Sequence, residues 1–327
     1  MAERDCDAVP LQRWDRHSGI RMVGDAHIGT TPLREVEVPM ACRYDGLAMV
    51  TRRKFLALAA AAAPAMALGA GKHIPLGVQL YTVRNQTQNH LAQTLKQIRA
   101  IGYDEVEFDS SLYTHSAPEL LSLVHRAGLT ASSGHFNYDD FASKVAYAKR
   151  LGLKWMVCPI LPKAQWASPE GYRRAAAAFN QWGKLCDKHD MRFAFHNHNY
   201  EFQDLKGTTG FDILLKETDP ELVWLEMDCY WITEAGRDPT LLLNQLGKRV
   251  RLLHLKDRKA GQPTSQELND GAKHFTEVGS GTIAWRPLLA LAQKLGVERY
   301  YVEQDESDKP PVDSLKLSYN YLHGLLG

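Results

Sequence analysis

The sequence predicts an α/β protein folded as a (β/α)8 TIM barrel, on three observations: eight short apolar runs, an amphipathic stretch after each, and a length suited to one such barrel. The strand candidates, rich in valine, phenylalanine, tryptophan and tyrosine, are Leu76–Tyr81, Glu105–Phe108, Leu129–Ser133, Trp155–Ile160, Arg192–His198, Leu222–Asp228, Arg251–Lys256 and Tyr300–Gln304. Helical spacing joins them, as in Leu91, Leu95, Ile98 and Ile101, or Leu120, Leu121, Val124 and Ala127. Ser168-Pro169-Glu170 and Asp238-Pro239 mark helix starts, and Gly102, Gly128, Gly152 and Gly296 stand where helices must end before the next strand. Leu315–Leu326 is the expected closing helix. A doubly wound sheet would carry a Gly-rich phosphate loop after its first strand, and none follows Leu76–Tyr81.

The N-terminal stretch reads differently. Thr51-Arg52-Arg53-Lys54-Phe55-Leu56 sets two arginines before an uncharged, alanine-rich run from Phe55 to Ala70 that Pro64 interrupts. This pattern predicts a twin-arginine export signal over 49–70 and a periplasmic protein. The run has 16 residues, short of the roughly 20 that span a bilayer, so no stable membrane anchor is expected. Residues 1–48 mix charges without periodicity and are expected to be a disordered upstream extension, with Met49 as the true start. The remaining 71–327 form one catalytic domain.

Composition narrows the function. A net charge of +1 offers no basic excess for a phosphate backbone, so no nucleic-acid partner is expected. Cys158, Cys186 and Cys229 are the cysteines of the barrel segment, an odd number without CxxC spacing, which argues against a disulfide framework or a cysteine zinc site. A homo-oligomer is compatible with the sequence.

Barrel chemistry collects at the C-terminal ends of strands. Those ends carry Gln79, Glu107 with Asp109, His135, then His196-Asn197-His198 with Glu201, then Glu226 with Asp228, His254 with Lys256 and Asp257, and Glu303 with Asp305. A single such histidine is more often a hydrogen-bonded core residue than a ligand. Four successive strand ends bearing ligand-type residues are harder to explain by packing, because charged groups are rarely buried unpaired. His196 or His198, with Asp228, His254 and Glu303, therefore reads as a nitrogen and oxygen site for a divalent ion such as zinc, manganese, magnesium or cobalt, with His196 preferred. His198, Lys256 and Glu201 are the candidate acid and base groups, Lys256 alternatively being the ion-pair partner of Asp257. Gln79, Glu107, His135 and Trp231 are the candidates for holding a sugar, and Glu226 for orienting ligands from one layer deeper. Thr276–Ile283 contains a GxG that either approaches substrate or turns a loop.

Together LGVQLYTVR, GYDEVEF, FHNHNYEF, MDCYWI, HLKD, VGSGTIAW and YVEQDE, in this order, resemble the xylose-isomerase-like TIM-barrel family, the sugar phosphate isomerase/epimerase group. The resemblance implies a metal held by a carboxylate of the fifth strand and by Asp228, His254 and Glu303. It departs at the fifth strand, where His196 stands in place of the carboxylate. Endonuclease IV, a relative, has a histidine three residues after the sixth-strand aspartate, where this chain has Trp231, so a three-metal DNA-repair site is not expected. The implied chemistry is proton abstraction next to a sugar carbonyl, ending in isomerisation, epimerisation or loss of a β-substituent from a 3-keto sugar or glycoside. A non-catalytic sugar-binding barrel is the other reading.

Overall fold

The computed structural model describes residues 74–268 and 274–326. The expected upstream extension (1–48) and export signal (49–70) lie outside the described residues. Eight parallel strands close a barrel: β1 (Leu76–Gln79), β2 (Glu105–Phe108), β3 (Thr130–His135), β4 (Trp155–Cys158), β5 (Arg192–His196), β6 (Val223–Asp228), β7 (Val250–Leu255) and, after a two-stranded excursion of β8 (Asp257–Arg258) and β9 (Phe275–Thr276), β10 (Arg299–Val302). The order β1-β10-β7-β6-β5-β4-β3-β2 leaves no open edge.

The helices follow as α1 (Arg84–Ile101), α2 (Ala117–Arg126), α3 (Val145–Arg150), α4 (Lys163–Trp166), α5 (Pro169–Asp187), α6 (Gly210–Glu217), α7 (Cys229–Glu234), α8 (Pro239–Leu246), α9 (Trp285–Leu295) and α10 (Pro311–Leu326). Their starts lie where the sequence signals them. The Ser168 side chain accepts from Gly171 N and the Asp238 side chain from Thr240 N and Leu241 N, with proline beginning the helix in each case. After α9, Gly296 adopts φ of 80°, a left-handed conformation that costs glycine little.

Strand residues alternate between two environments. On β7, Leu253 and Leu255 face the helices and join the main apolar core, whereas Leu252 joins Trp155, Val157, Ala194 and Tyr301 in a separate cluster inside the barrel. Continuing that inward row by two residues per step leads from Ala194 to His196, from Leu252 to His254, and from Tyr301 to Glu303. The same alternation that packs the lower barrel thus aims polar groups at its mouth.

Several strands are shorter than the sequence predicts. Leu80–Val83 turns as a 3-10 helix after β1, because the Gln79 side chain accepts from Tyr81 N and ends the extended run. At β5, pairing stops at His196, so His198 stands in the following loop rather than on the strand. The β8 and β9 pair was not expected, since two-residue strands leave no periodicity to read.

Candidate active site

The mouth of the barrel is built on His254. Its Nδ1 lies 2.9 Å from Glu303 Oε2 and 3.8 Å from Asp228 Oδ2, while its Nε2 faces Glu107 Oε2 at 2.7 Å and Glu226 Oε2 at 3.2 Å. One ring therefore has an outer and an inner set of carboxylates. His196 Nε2 joins the outer set, 3.3 Å from Asp228 Oδ2. The side chains of Glu107, Glu226, Asp228 and His254 are fully buried.

The outer set can hold a divalent cation. His196, Asp228, His254 and Glu303 come from four successive strands of the closed sheet, and one donor atom from each lies within 4.8 Å of the others. Two imidazoles and two carboxylates suit zinc or manganese. A second set, Glu107, His135, Glu226 and His254, meets the same distance criterion. Glu107 there already accepts from Gln79 Nε2 at 2.9 Å and from the Ser133 hydroxyl, besides facing His254. These inner groups fix the His254 ring with Nδ1 outward, as partners of metal-binding histidines do. Asn197 ties the fifth strand to the sixth through Asp228 N, which donates to Asn197 Oδ1 at 3.0 Å. Asp228 also caps α7, its Oδ1 accepting from Trp231 N at 2.9 Å.

Lys256 is the other pivot. Its ammonium lies 2.7 Å from Glu303 Oε2, 3.1 Å from Asp228 Oδ2 and 2.8 Å from Asp305 Oδ1. Burial works against this charge, but Asp228, Asp305 and Glu303 outweigh it and hold the Lys256 pKa well above the usual lysine value. Asp257 is not its partner, as one sequence reading had it. The Asp257 carboxylate instead accepts from Gly279 N, Gly281 N, Ile283 N and Trp285 Nε1.

A cavity of about 330 Å³ opens above these groups, and His135, His196, His198, Trp231, Lys256 and Glu303 are among its lining residues. His135 Nε2 bonds Glu226 Oε2 at 2.8 Å. The His198 ring stands between Trp231 and Tyr200, at centroid distances of 5.1 and 5.8 Å. Its buried Nδ1 has no hydrogen-bond partner, and burial first, then His196 and Lys256, drives its pKa well below the usual histidine value. Of the sequence candidates for acid, base or sugar-holding roles, three do not line this cavity. Gln79 and Glu107 lie beneath it in the inner hydrogen-bond set. Glu201 is fully buried under the fifth-strand loop, accepting from His198 N at 2.9 Å, and burial pushes its carboxyl up to about 8.

Sequence reasoning missed Arg84, which lines the cavity. Its place at the start of α1 reads as an ordinary helix surface, and only the fold carries it to the mouth. Asn199 was also missed: Asn199 Nδ2 donates to the carbonyls of Ser265 and Glu267 and so holds the segment before β9 near the cavity.

A closed parallel barrel with nitrogen and oxygen donors gathered at its C-terminal mouth defines a class of small-molecule enzymes of the TIM-barrel type. Within that class, residues 95–322 match the family described as Xylose isomerase-like TIM barrel, and this chain belongs to it. Among curated proteins, an inosose dehydratase of Mesomycoplasma hyopneumoniae strain 7448 is 26% identical over 295 residues, covering 78% of this chain and 97% of its own. The inosose dehydratase of Clostridium tetani is 26% identical over 170 residues, 49% of this chain and 56% of its own. A sugar phosphate isomerase/epimerase from Parabacteroides distasonis superposes with TM-score 0.67 at 22% identity, covering 79% of this chain and 97% of that one. The IOLI protein, solved with a zinc atom, superposes with TM-score 0.61 at 14% identity, covering 77% and 98%. At these identities the structural neighbours share the fold.

Proposed function

We propose that this chain is a divalent-metal-dependent lyase that dehydrates a keto sugar or keto cyclitol. One observation carries the reading: five buried or half-buried carboxylates converge on the mouth, Asp228, Glu303 and Asp305 on Lys256, and Glu107 and Glu226 on the His254 ring. Buried carboxylates in excess of cations are costly unless a metal or protons compensate them. The inosose dehydratase relatives support dehydration as the outcome.

Bound by His196, Asp228, His254 and Glu303, the cation would polarise the substrate carbonyl and acidify the adjacent C–H. His198 would take that proton, since its ring lines the cavity and carries no carboxylate partner. Lys256, held as an ammonium, would donate to the substrate oxygen rather than remove a proton. The hydroxyl on the next carbon would leave as water, with its proton supplied by His135, whose partner Glu226 favours the charged ring. Trp231 would carry the apolar face of the sugar ring.

The test is proton NMR of the full chain with inosose in deuterated water. Exchange of the C–H next to the ketone and loss of water are expected, both abolished by chelation and restored by manganese or zinc. His198→Asn should lose turnover and keep its metal. Turnover that survives complete metal stripping contradicts the reading.

We also propose export through the twin-arginine route, on the basis of Thr51–Leu56. An R52K/R53K double variant should remain unprocessed in the cytoplasmic fraction; unchanged export would contradict the proposal.

A further inference from the structure

The open space at the mouth does not end above the groups around His254. The loops after β2 and β3 each run through a 3-10 turn, Ser110–Thr114 and Tyr138–Lys144. Residues of these two turns line a second cavity of about 180 Å³, and Ser110 and Asn137 line both it and the larger cavity of the mouth. The two spaces therefore adjoin, and a molecule seated beside His135 can extend past Asn137 into the second one. Across the barrel the chain itself fills the corresponding place. The excursion after β7 lines the mouth with Leu268 and Phe275, and Asn199 Nδ2 holds the carbonyls of Ser265 and Glu267 at 3.0 and 2.9 Å.

The second cavity carries polar groups without a structural task. Asn137 stands at the N-cap of its turn, where an asparagine usually accepts from the backbone, and its side chain makes no such bond. The buried hydroxyl of Tyr113, another lining residue, has no hydrogen-bond partner. Asp140 and Lys144 lie 3.7 Å apart and half-exposed, a pairing worth little by itself, so both can turn to a ligand. Phe136 also lines the cavity, its ring stacked on Tyr113 at 4.6 Å. Aromatic rings beside amide, hydroxyl, carboxylate and ammonium groups suit a hydroxylated ring.

We infer that the cavity between the two 3-10 turns is a second subsite, which takes a hydroxylated ring joined to the ring held at the mouth, so that the substrate has two rings. The inference rests on the proposed function only in seating the first ring at the mouth, and binding tests it apart from turnover. The experiment is calorimetric titration of the purified full chain with glucose and with trehalose, maltose, cellobiose and laminaribiose. At least one disaccharide should bind about tenfold more tightly than glucose. The Asp140→Ala, Lys144→Ala double variant changes only half-exposed positions, and should lose about that factor for the disaccharide while keeping the wild-type affinity for glucose. Ser111→Trp, which fills the second cavity from an exposed position, should do the same. No disaccharide binding more tightly than glucose, or a gain that survives in either variant, overturns the inference. Turnover of inosose without a disaccharide gain would remove the subsite and leave the dehydratase reading standing. A disaccharide gain without proton exchange on a keto substrate would count against the dehydratase reading alone.

Discussion

The two ends of the barrel bury charge in opposite ways. At the N-terminal end a single carboxylate, Glu105, lies 3.4 Å from Arg299 Nε and accepts from the Ser132 hydroxyl at 3.1 Å, beneath the apolar plug of Trp155, Val157, Ala194, Leu252 and Tyr301. One cation faces one anion there, and burial still pushes the Glu105 carboxyl up to about 7 against the Arg299 charge and the Ser132 hydrogen bond. At the C-terminal end Lys256 answers three of five carboxylates and the His254 ring faces the other two, with His135 and His196 crowding the same space at 5.3 and 4.6 Å from the His254 centroid. The same eight strands therefore carry a structural end and an end whose charge is left for something else to balance.

The comparison breaks if the two ends respond alike to substitution. The largest effect is expected for His254→Ala, which leaves buried carboxylates without their partner and should cost about 3–5 kcal/mol of stability in the metal-free protein, together with loss of metal and turnover. Chemical denaturation and metal analysis would check it. Trp155→Ala removes the plug from the other end and should cost about 3–5 kcal/mol by cavity formation. Its folded fraction should still bind one metal per chain, and a loss of metal there would join the two ends functionally.

A smaller effect sharpens the division within the mouth. Glu107→Gln weakens the inner support of His254 and should lower metal affinity by about tenfold to a hundredfold, measured by competition with a chelator, while leaving one ion bound at saturation. An unchanged affinity would show that the inner carboxylates do not orient His254.

The smallest effect concerns Glu201, whose pKa is raised to about 8 by burial. A carboxyl with a raised folded pKa binds its proton more tightly folded than unfolded. Its contribution is complete below the unfolded value and is lost as pH rises toward 8. Wild-type stability should therefore fall by about 1 kcal/mol between pH 6 and 7 from this group, and Glu201→Gln should flatten that slope in denaturation curves. A slope unchanged in the variant would place the proton elsewhere.

Most of the architecture was readable because the barrel repeats its signals. Alternating apolar runs located all eight strands, and Ser168-Pro169 and Asp238-Pro239 located helix starts, since those are local effects of backbone chemistry. Asp228, His254 and Glu303 were found together because a ligand-type residue at the end of an apolar strand is conspicuous. What failed was whatever depends on which side chains meet across the sheet. Lys256 and Asp257 are adjacent in sequence, yet one turns to Glu303 and the other to the glycine loop. Glu107 and His254 lie far apart in sequence and meet only when β2 and β7 share one barrel interior. Arg84 closes the LGVQLYTVR stretch with nothing in that pattern to mark it as a site residue, and the fold brings it to the mouth, where it donates to Asp305 O.

The central claim is that His196, Asp228, His254 and Glu303 hold one divalent cation on which turnover depends. Elemental analysis of the purified wild-type chain, before and after exhaustive chelation and with turnover measured on the same samples, tests it most directly. The account predicts one divalent ion per chain before chelation, none after, and turnover lost and regained with the ion. A chain that is free of metal and still fully active would contradict it.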